Sequence, residues 1–547
     1  MDVVLIGLPG SGKSVVGRRL ASRHGAAFID LDERIENRAG RPIPEIFADE
    51  GEAAFRAHER AAIAGLGPPD PGSSVGRIVA TGGGAVVDPR NRWALFRDRH
   101  SVWLDGRPEV LAQRLRRSPH VRPLIVGRDP VAAVRDLAAK RERFYAAARV
   151  RINGVPEVRG VVEAVERSIS GGTAGGTRLL DAETRIGRYV LGEGIAGEGI
   201  ADALRRLEAD RAILVSEPGA WSAAGQAIAD VLTDAGWTVV RVLLPQGEEA
   251  KQLSVIESAA RELARLRVER REPIVAIGGG ALGDAAGFIA ATYLRGIPFI
   301  QVPTTLVAQI DSAIGGKTGV DLPEGKNLVG AFHQPSSIVV DIAFLGSLPD
   351  RQRRAALGEA VKMAALGDER LFELLEADGE AVARGEPDVV ERGTLAELVE
   401  RAGWAKVEVV SEDERERGAK AGRIALNLGH SLGHAVEAAA GYRDLLHGEA
   451  VAYGLRAACA IGRDVGVTPP DRATRIDGLL DRLGLGVEPL PYPLGTVLEH
   501  LASDKKHAAG RLRWVLPTAN GVEVRGDVPA DVVERAAAGL LVAEGQP

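Results

Sequence analysis

Val3-Val4-Leu5-Ile6-Gly7-Leu8-Pro9-Gly10-Ser11-Gly12-Lys13-Ser14 joins a short apolar run to a G-x-x-x-x-G-K-S loop. A strand before the glycines and a helix from Lys13 form the setting in which this loop binds phosphate. The glycines let backbone N–H groups curl round phosphate oxygens, and the helix N-terminus adds positive potential. Gly10, Ser11, Gly12, Lys13, Ser14 and Val15 are therefore the candidate nucleotide contacts, with Lys13 on the β- and γ-phosphates and the Ser14 hydroxyl on Mg²⁺. Outward from the loop, residues 27–29, 78–80 and 101–104 are further short apolar runs between helical patterns. This alternation predicts a parallel sheet covered by helices.

The chain has 547 residues, enough for three or four domains. Apolar residues make up 45% and charged residues 26%, a globular composition. The 67 glycines have no three-residue period, which excludes collagen and points to loops. Net charge is −6, which argues against a polyanion partner, so no nucleic acid is expected. The total hides an asymmetry: residues 1–170 carry net +7 and the remainder net −13. Residues 170–177, Ser-Gly-Gly-Thr-Ala-Gly-Gly-Thr, read as a flexible linker between two modules, spanning on the order of 15 Å as a coil. Cys459 is the single cysteine, so an intramolecular disulfide is excluded, which fits a reducing, cytoplasmic setting. No signal peptide, apolar span or membrane partner is expected.

Beyond the linker, residues 212–216, 238–244, 273–277, 299–302 and 337–340 again read as strands between helices. Near residues 345–349 the pattern turns helical, and a second boundary is expected there. Ile277-Gly278-Gly279-Gly280-Ala281-Leu282-Gly283-Asp284 is a glycine turn after a strand, and Thr304-Thr305 follows the next one. Lys317 and Lys326 sit in what read as glycine-rich loops, which suits an anionic substrate. Five of ten histidines lie after residue 429. His430 and His434, at i and i+4 on one helix face, with His447 further on, suit a divalent metal. A carboxylate would complete a three-ligand site with an open position, and Glu359 is one candidate among several.

In the first module, Asp30 and Asp32 stand beyond the second strand, where one carboxylate can support Mg²⁺ and the other can accept a hydroxyl proton. Taken with FRAHE (55–59), TGGGAV (81–86), VRPL (121–124) and AKRERFY (139–145), this region resembles shikimate kinase over about residues 3–168. The resemblance implies ATP and Mg²⁺, with Asp30 near the metal and Asp32 on the reacting shikimate hydroxyl. It also implies Arg56 and Arg141 on the shikimate carboxylate, Gly83 lining the pocket, and Arg122 on a lid over the phosphates. The stretch 117–122 is slightly shorter than is usual for this lid.

Residues 186–540 resemble 3-dehydroquinate synthase through PQGEEAKQL (245–253), IGGGALGDAAGF (277–288), GKNLVGAFHQP (325–335), LGEAVKM (357–363), ALNLGHSLGHAVE (425–437), LHGEAVAYG (446–454) and DKK (504–506). The resemblance implies Zn²⁺ (or Co²⁺) on Glu359, His430 and His447, which makes His434 a substrate-site residue. It implies NAD⁺ on Glu248, Lys251, Gly279, Gly280, Gly283, Asp284, Thr304, Thr305, Lys317 and Lys326. For substrate and catalysis it implies Arg295, Asp311, Lys317, Lys326, Asn327, Lys362, Lys406, Arg423, Asn427, His434 and one of Lys505 or Lys506. Gln246 stands where Asp is common, and Gly346 where a lysine is common.

The expected fold class is α/β: a P-loop kinase domain (1–169), the linker (170–177), an α/β NAD-binding domain (178–346) and an all-α metal-binding domain (347–547). The implied function is a bifunctional enzyme acting on small molecules. It would phosphorylate shikimate and convert 3-deoxy-D-arabino-heptulosonate 7-phosphate to 3-dehydroquinate, as a homodimer through the second module. A cyclase for another sugar phosphate, a polyol dehydrogenase and a nucleotide-sensing first module are the competing readings.

Overall fold

The computed structural model describes residues 1–69, 75–117, 129–153, 157–170, 175–323, 325–414, 422–503, 507–508 and 511–542. Arg122, Lys505, Lys506, residues 118–121 of the expected lid and residues 171–174 of the expected linker lie outside these. The chain divides into two compact units, Met1–Glu183 with Tyr189–Glu198, and Thr184–Arg188 with Gly199–Pro547.

The first unit is built on strands β1 (Val3–Ile6), β2 (Ala27–Asp30), β3 (Arg77–Ala80), β4 (His100–Asp105) and β5 (Val150–Asn153). They form one parallel sheet in the order β2-β3-β1-β4-β5. Central β1 is apolar throughout and all four of its residues are buried, as expected of a strand covered on both faces. The helix Lys13–His24 follows the glycine loop and buries Val16, Leu20 and Ala21 on the sheet. Strand β5 escapes a reading from apolar runs because Arg151 and Asn153 alternate with Val150 and Ile152, and only Ile152 is buried.

Strands β6 (Thr177–Thr184) and β7 (Gly187–Glu193) are hydrogen-bonded neighbours. The second unit has β8 (Arg211–Ser216), β9 (Thr238–Leu243), β10 (Ile274–Gly278), β11 (Phe299–Pro303), β12 (Lys317–Leu322), β13 (Gly325–Phe332) and β14 (Ser337–Asp341). Five of these form a parallel array in the order β14-β11-β10-β8-β9. The remaining two correct the loop reading of the two lysines: Lys317 and Lys326 stand on an antiparallel hairpin, β12 with β13. Thr318 and Val320 turn inward under the helix Gly280–Thr292. Gly287 of that helix lies so close that an added Cβ would meet Thr318 Cγ2.

From Asp350 to Ser503 the regular elements among the described residues are all helical, and two short hairpins follow, His507–Ala508 with Arg511–Leu512 and Trp514–Thr518 with Gly521–Arg525. Three helices, Asp350–Ala365, His430–Ala439 and His447–Asp464, meet backbone to backbone. A Cβ on Gly448 would overlap the Ala355 carbonyl, one on Gly358 the Gly448 carbonyl, and one on Gly454 the Gly429 carbonyl. This close approach brings Glu359, His430 and His447, one from each helix, to a common point.

Candidate active sites

In the first unit a cavity of about 530 Å³ is lined by Gly10, Ser11, Gly12, Lys13, Ser14, Val15, Asp32 and Gly83, among others. Gly10 and Gly12 hold φ at 82° and 91°, the left-handed region that glycine tolerates, and so allow the tight curl of the loop, closed by the Ser11 N–H donating to the Leu8 carbonyl at 3.2 Å. The buried Lys13 ammonium donates to the Gly7 carbonyl at 2.9 Å and the Leu8 carbonyl at 3.0 Å. Asp30 caps the helix Leu31–Ala39, its carboxylate accepting the Asp32 N–H at 3.1 Å. Asp30, Arg56 and Arg141 are not among the residues lining the cavity; they brace its wall. Arg141 Nη1 at 2.9 Å and the Tyr145 hydroxyl at 2.5 Å both donate to the Gly83 carbonyl. Arg56 lies against Gly84 and pairs with Glu52 at 2.8 Å and Glu59 at 2.9 Å. Arg114 donates to the Gly10 carbonyl at 3.4 Å and lines the cavity together with Arg107, a position not singled out from sequence.

The cavity of the second unit is larger, about 1430 Å³. One end is nucleotide-like. Gly279 caps the helix Gly280–Thr292, and Thr304, Thr305, Glu248, Lys251 and Asp284 line the same wall. Lys251 is buried among carboxylates, 3.1 Å from Asp284 and 3.5 Å from Asp321. Burial raises the Asp284 carboxyl to about 6 against the pull of Lys251. Gly283 does not reach the cavity; it is buried against the Gln301 side chain. Gln246 accepts the Gly219 N–H at 3.1 Å and so serves the backbone of this wall. Gly346 has open space where a Cβ would stand.

The middle of the cavity is cationic. Lys317, Lys362, Lys406, Arg423, Asn327 and Asn427 line it around Asp311. Lys406 lies 2.8 Å and Lys362 3.4 Å from Asp311 Oδ1. Burial works against the Asp311 charge, but the two lysines hold its carboxyl well below the usual range. Burial, with Lys362 alongside, draws Lys406 below its ordinary value. Arg423 donates to the Gly315 carbonyl at 3.1 Å and lies over the Phe332 ring. Arg295 stands apart. It is exposed, at φ 66° in the segment Tyr293–Arg295, and is not among the residues lining the cavity of its own chain.

At the far end the Glu359 carboxylate is fully buried. Its Oε1 lies 3.5 Å from His430 Nε2 and 3.2 Å from His447 Nε2, and its Oε2 lies 2.5 Å from Lys362 Nζ. Burial opposes a charge on His447, but Glu359 and Glu437 outweigh it and push the imidazole up to about 10. Two carboxylates on one imidazole call for a cation, and this donor set suits a divalent one. The structure also brings in His434: ligand atoms of His430, His434 and His447 lie within 4.8 Å of one another. Sequence reasoning missed Glu217, Glu437, Tyr442 and His500. Glu217, Tyr442 and His500 line the cavity, and Glu437 both lines it and bonds His447. Glu437 carried a signal, since it is seven residues after His430 on the same helix face.

Residues 241–355 match the family model described as 3-dehydroquinate synthase N-terminal, and residues 356–507 the one described as 3-dehydroquinate synthase C-terminal. A 3-dehydroquinate synthase of Symbiobacterium thermophilum is 45% identical over 358 residues, covering 64% of this chain and 96% of that protein. The chain belongs to the 3-dehydroquinate synthase family. Residues 9–166 match the shikimate kinase family model, so the synthase is preceded by a kinase and the chain is a bifunctional shikimate-pathway enzyme. Among solved structures, the 2-epi-5-epi-valiolone synthase of Streptomyces hygroscopicus subsp. jinggangensis, with NAD⁺ and Zn²⁺ bound, is similar at 28% identity and TM-score 0.58, over 64% of this chain and 96% of that one. A 2-deoxy-scyllo-inosose synthase complexed with carbaglucose-6-phosphate, NAD⁺ and Co²⁺ is similar at 26% identity and TM-score 0.58, over 66% of this chain and 100% of that one. No helix among the described residues is long and apolar enough to cross a membrane.

Proposed function

We propose that the synthase holds a divalent metal, Zn²⁺ or Co²⁺, on Glu359, His430 and His447, and NAD⁺ along the wall formed by Glu248, Lys251, Gly279, Gly280, Asp284, Thr304 and Thr305. The observation that carries this reading is the buried Glu359 carboxylate, facing two histidine Nε2 atoms at 3.2 and 3.5 Å beside a cationic cavity. When bound, the metal supplies Lewis acidity at substrate hydroxyl oxygens, and NAD⁺ supplies a hydride acceptor that is restored each turnover. Lys317, Lys362, Lys406, Arg423 and Asn427 orient the phosphate and carboxylate of 3-deoxy-D-arabino-heptulosonate 7-phosphate, with Asn327, Lys326 and His434 completing the contacts. Asp311 keeps Lys362 and Lys406 charged and spaced. Lys362, Lys406 and Arg423, the buried members of this set, exclude water from one face of the substrate, which becomes 3-dehydroquinate and phosphate.

In the kinase, Lys13 leaves its resting carbonyls for the ATP phosphates, and Ser14 and Asp30 support Mg²⁺. Asp32 takes the proton of the shikimate 3-hydroxyl at its carboxylate, and the Gly83 wall, braced by Arg56 and Arg141, seats the acceptor. The proposed domain limits are 1–169, 170–177, 178–346 and 347–547. The enzyme is further proposed to work in the cytoplasm as a homodimer through the synthase. The test is to assay the purified chain for both reactions with a panel of sugar phosphates in the synthase assay. Turnover of another sugar phosphate in preference to the heptulosonate would overturn the substrate assignment. The greater identity to a dehydroquinate synthase, 45% against 28% and 26% for the two other cyclases, favours the heptulosonate.

A further inference from the structure

Glu437 has no place in the ligand set or the substrate contacts, yet its carboxylate is almost wholly buried inside the site. It stands on the helix His430–Ala439, which carries two of the three clustered histidines. Its Oε2 accepts the Nδ1–H of His447 at 3.1 Å. Its Oε1 accepts from Lys326 Nζ at 3.2 Å. Lys326 comes from β13, also reaches Glu248 Oε1 at 3.2 Å, and lies 4.8 Å from the Tyr442 ring centroid.

These contacts have a direct chemical consequence. An imidazole that donates from Nδ1 presents an unprotonated Nε2, the form that ligates a metal. His447 Nε2 is the atom 3.2 Å from Glu359 Oε1, the same oxygen that His430 Nε2 approaches at 3.5 Å. The carboxylate thus fixes both the tautomer and the plane of the ring, and Lys326 offsets the buried negative charge that this requires.

We propose that Glu437 is a positioning residue for the metal site, holding His447 in its ligating tautomer and orientation with Lys326 as counter-charge. The proposal rests on the reading of His447 as a ligand, and the experiment separates the two. On the full chain, Zn²⁺ affinity is measured by competition with a chromophoric chelator for wild type, Glu437→Ala, Glu437→Gln and His447→Ala. Glu437→Ala is expected to weaken Zn²⁺ binding about 10–100-fold, the range for losing a partner behind a ligating histidine. Glu437→Gln, whose amide oxygen can still accept from Nδ1, should fall between Ala and wild type. If His447→Ala binds Zn²⁺ as wild type does, the ligand reading fails. If His447→Ala loses the metal while Glu437→Ala stays within about twofold of wild type, the ligand reading stands and the role of Glu437 falls. Should Glu437→Ala fail to fold, Glu437→Gln is loaded with Co²⁺. A displaced visible band or weaker affinity supports the proposal; a band superimposable on wild type with unchanged affinity overturns it.

Discussion

The two cavities solve the problem of holding anions in different ways. The kinase cavity is built round a backbone loop: glycines at positive φ let it curl, and Lys13 rests on its carbonyl oxygens. The synthase cavity is built from side chains in a chain of alternating charge, running from Lys406 through Asp311, Lys362, Glu359, His447 and Glu437 to Lys326 and Glu248. In the first, Lys13 can be changed without removing the partner of a buried carboxylate that the structure shows beside it. In the second, each buried group is the counter-charge of the next, and a single loss propagates.

The largest effect expected from this contrast is on metal removal. Chelation should bring the synthase to background while the kinase, assayed with its own Mg²⁺, is retained, and Zn²⁺ should restore it. Synthase turnover that survives complete metal removal would end the metal reading. Within the same site, metal analysis should find His447→Ala empty and His434→Ala loaded; the reverse result would make His434 the ligand. Next comes Lys13→Ala, expected to cost the kinase on the order of 10²–10³-fold in kcat or more, as for loss of a donor to developing charge, while sparing the synthase. Equal loss of both activities would mean that the two sites are not independent. A smaller effect is structural. Lys362→Met removes the cation that Asp311 and Glu359 share, and in the metal-free chain it should destabilise the second unit by about 3–5 kcal/mol in denaturant unfolding. An unchanged unfolding midpoint would show that the charges compensate elsewhere.

The smallest effect is a pH dependence in the first unit. His100 is buried, and its Nε2 donates to Ser168 Oγ at 2.9 Å, since that hydroxyl donates onward to the Val165 carbonyl. Burial, and secondarily the charge of Arg149, lower its pKa from 6.5 to about 4. The unfolded chain therefore binds the proton more readily, and this contribution to stability is complete above pH 6.5 and declines as the pH falls toward 4. Unfolding of wild type and His100→Gln measured across that window should show a slope that the variant lacks.

Legibility in the sequence followed the same division. The kinase loop lies in eight consecutive residues, so both its chemistry and its strand–loop–helix setting were readable. The synthase site draws residues from 217 to 500, and no local pattern announces which of them meet. The hairpin carrying Lys317 and Lys326 read as loop because its glycines mask the alternation that Thr318 and Val320 supply. Strand β5, Val-Arg-Ile-Asn, was silent because Arg151 and Asn153 leave it without an apolar run. The resemblance placed Arg295 on substrate, whereas in this chain it is exposed away from the cavity, a matter of tertiary placement that no spacing encodes. Glu437 lay inside a quoted motif, but its partner on another helix was invisible.

The glycine seam between the three site helices bears on mutational tolerance. At positions 448 and 454 even alanine would drive a methyl into a facing carbonyl, so a saturation library should return glycine there whatever activity is selected. Reshaping the specificity of this pocket is therefore a problem for its walls, because the spacing of its floor is set by atoms that are absent.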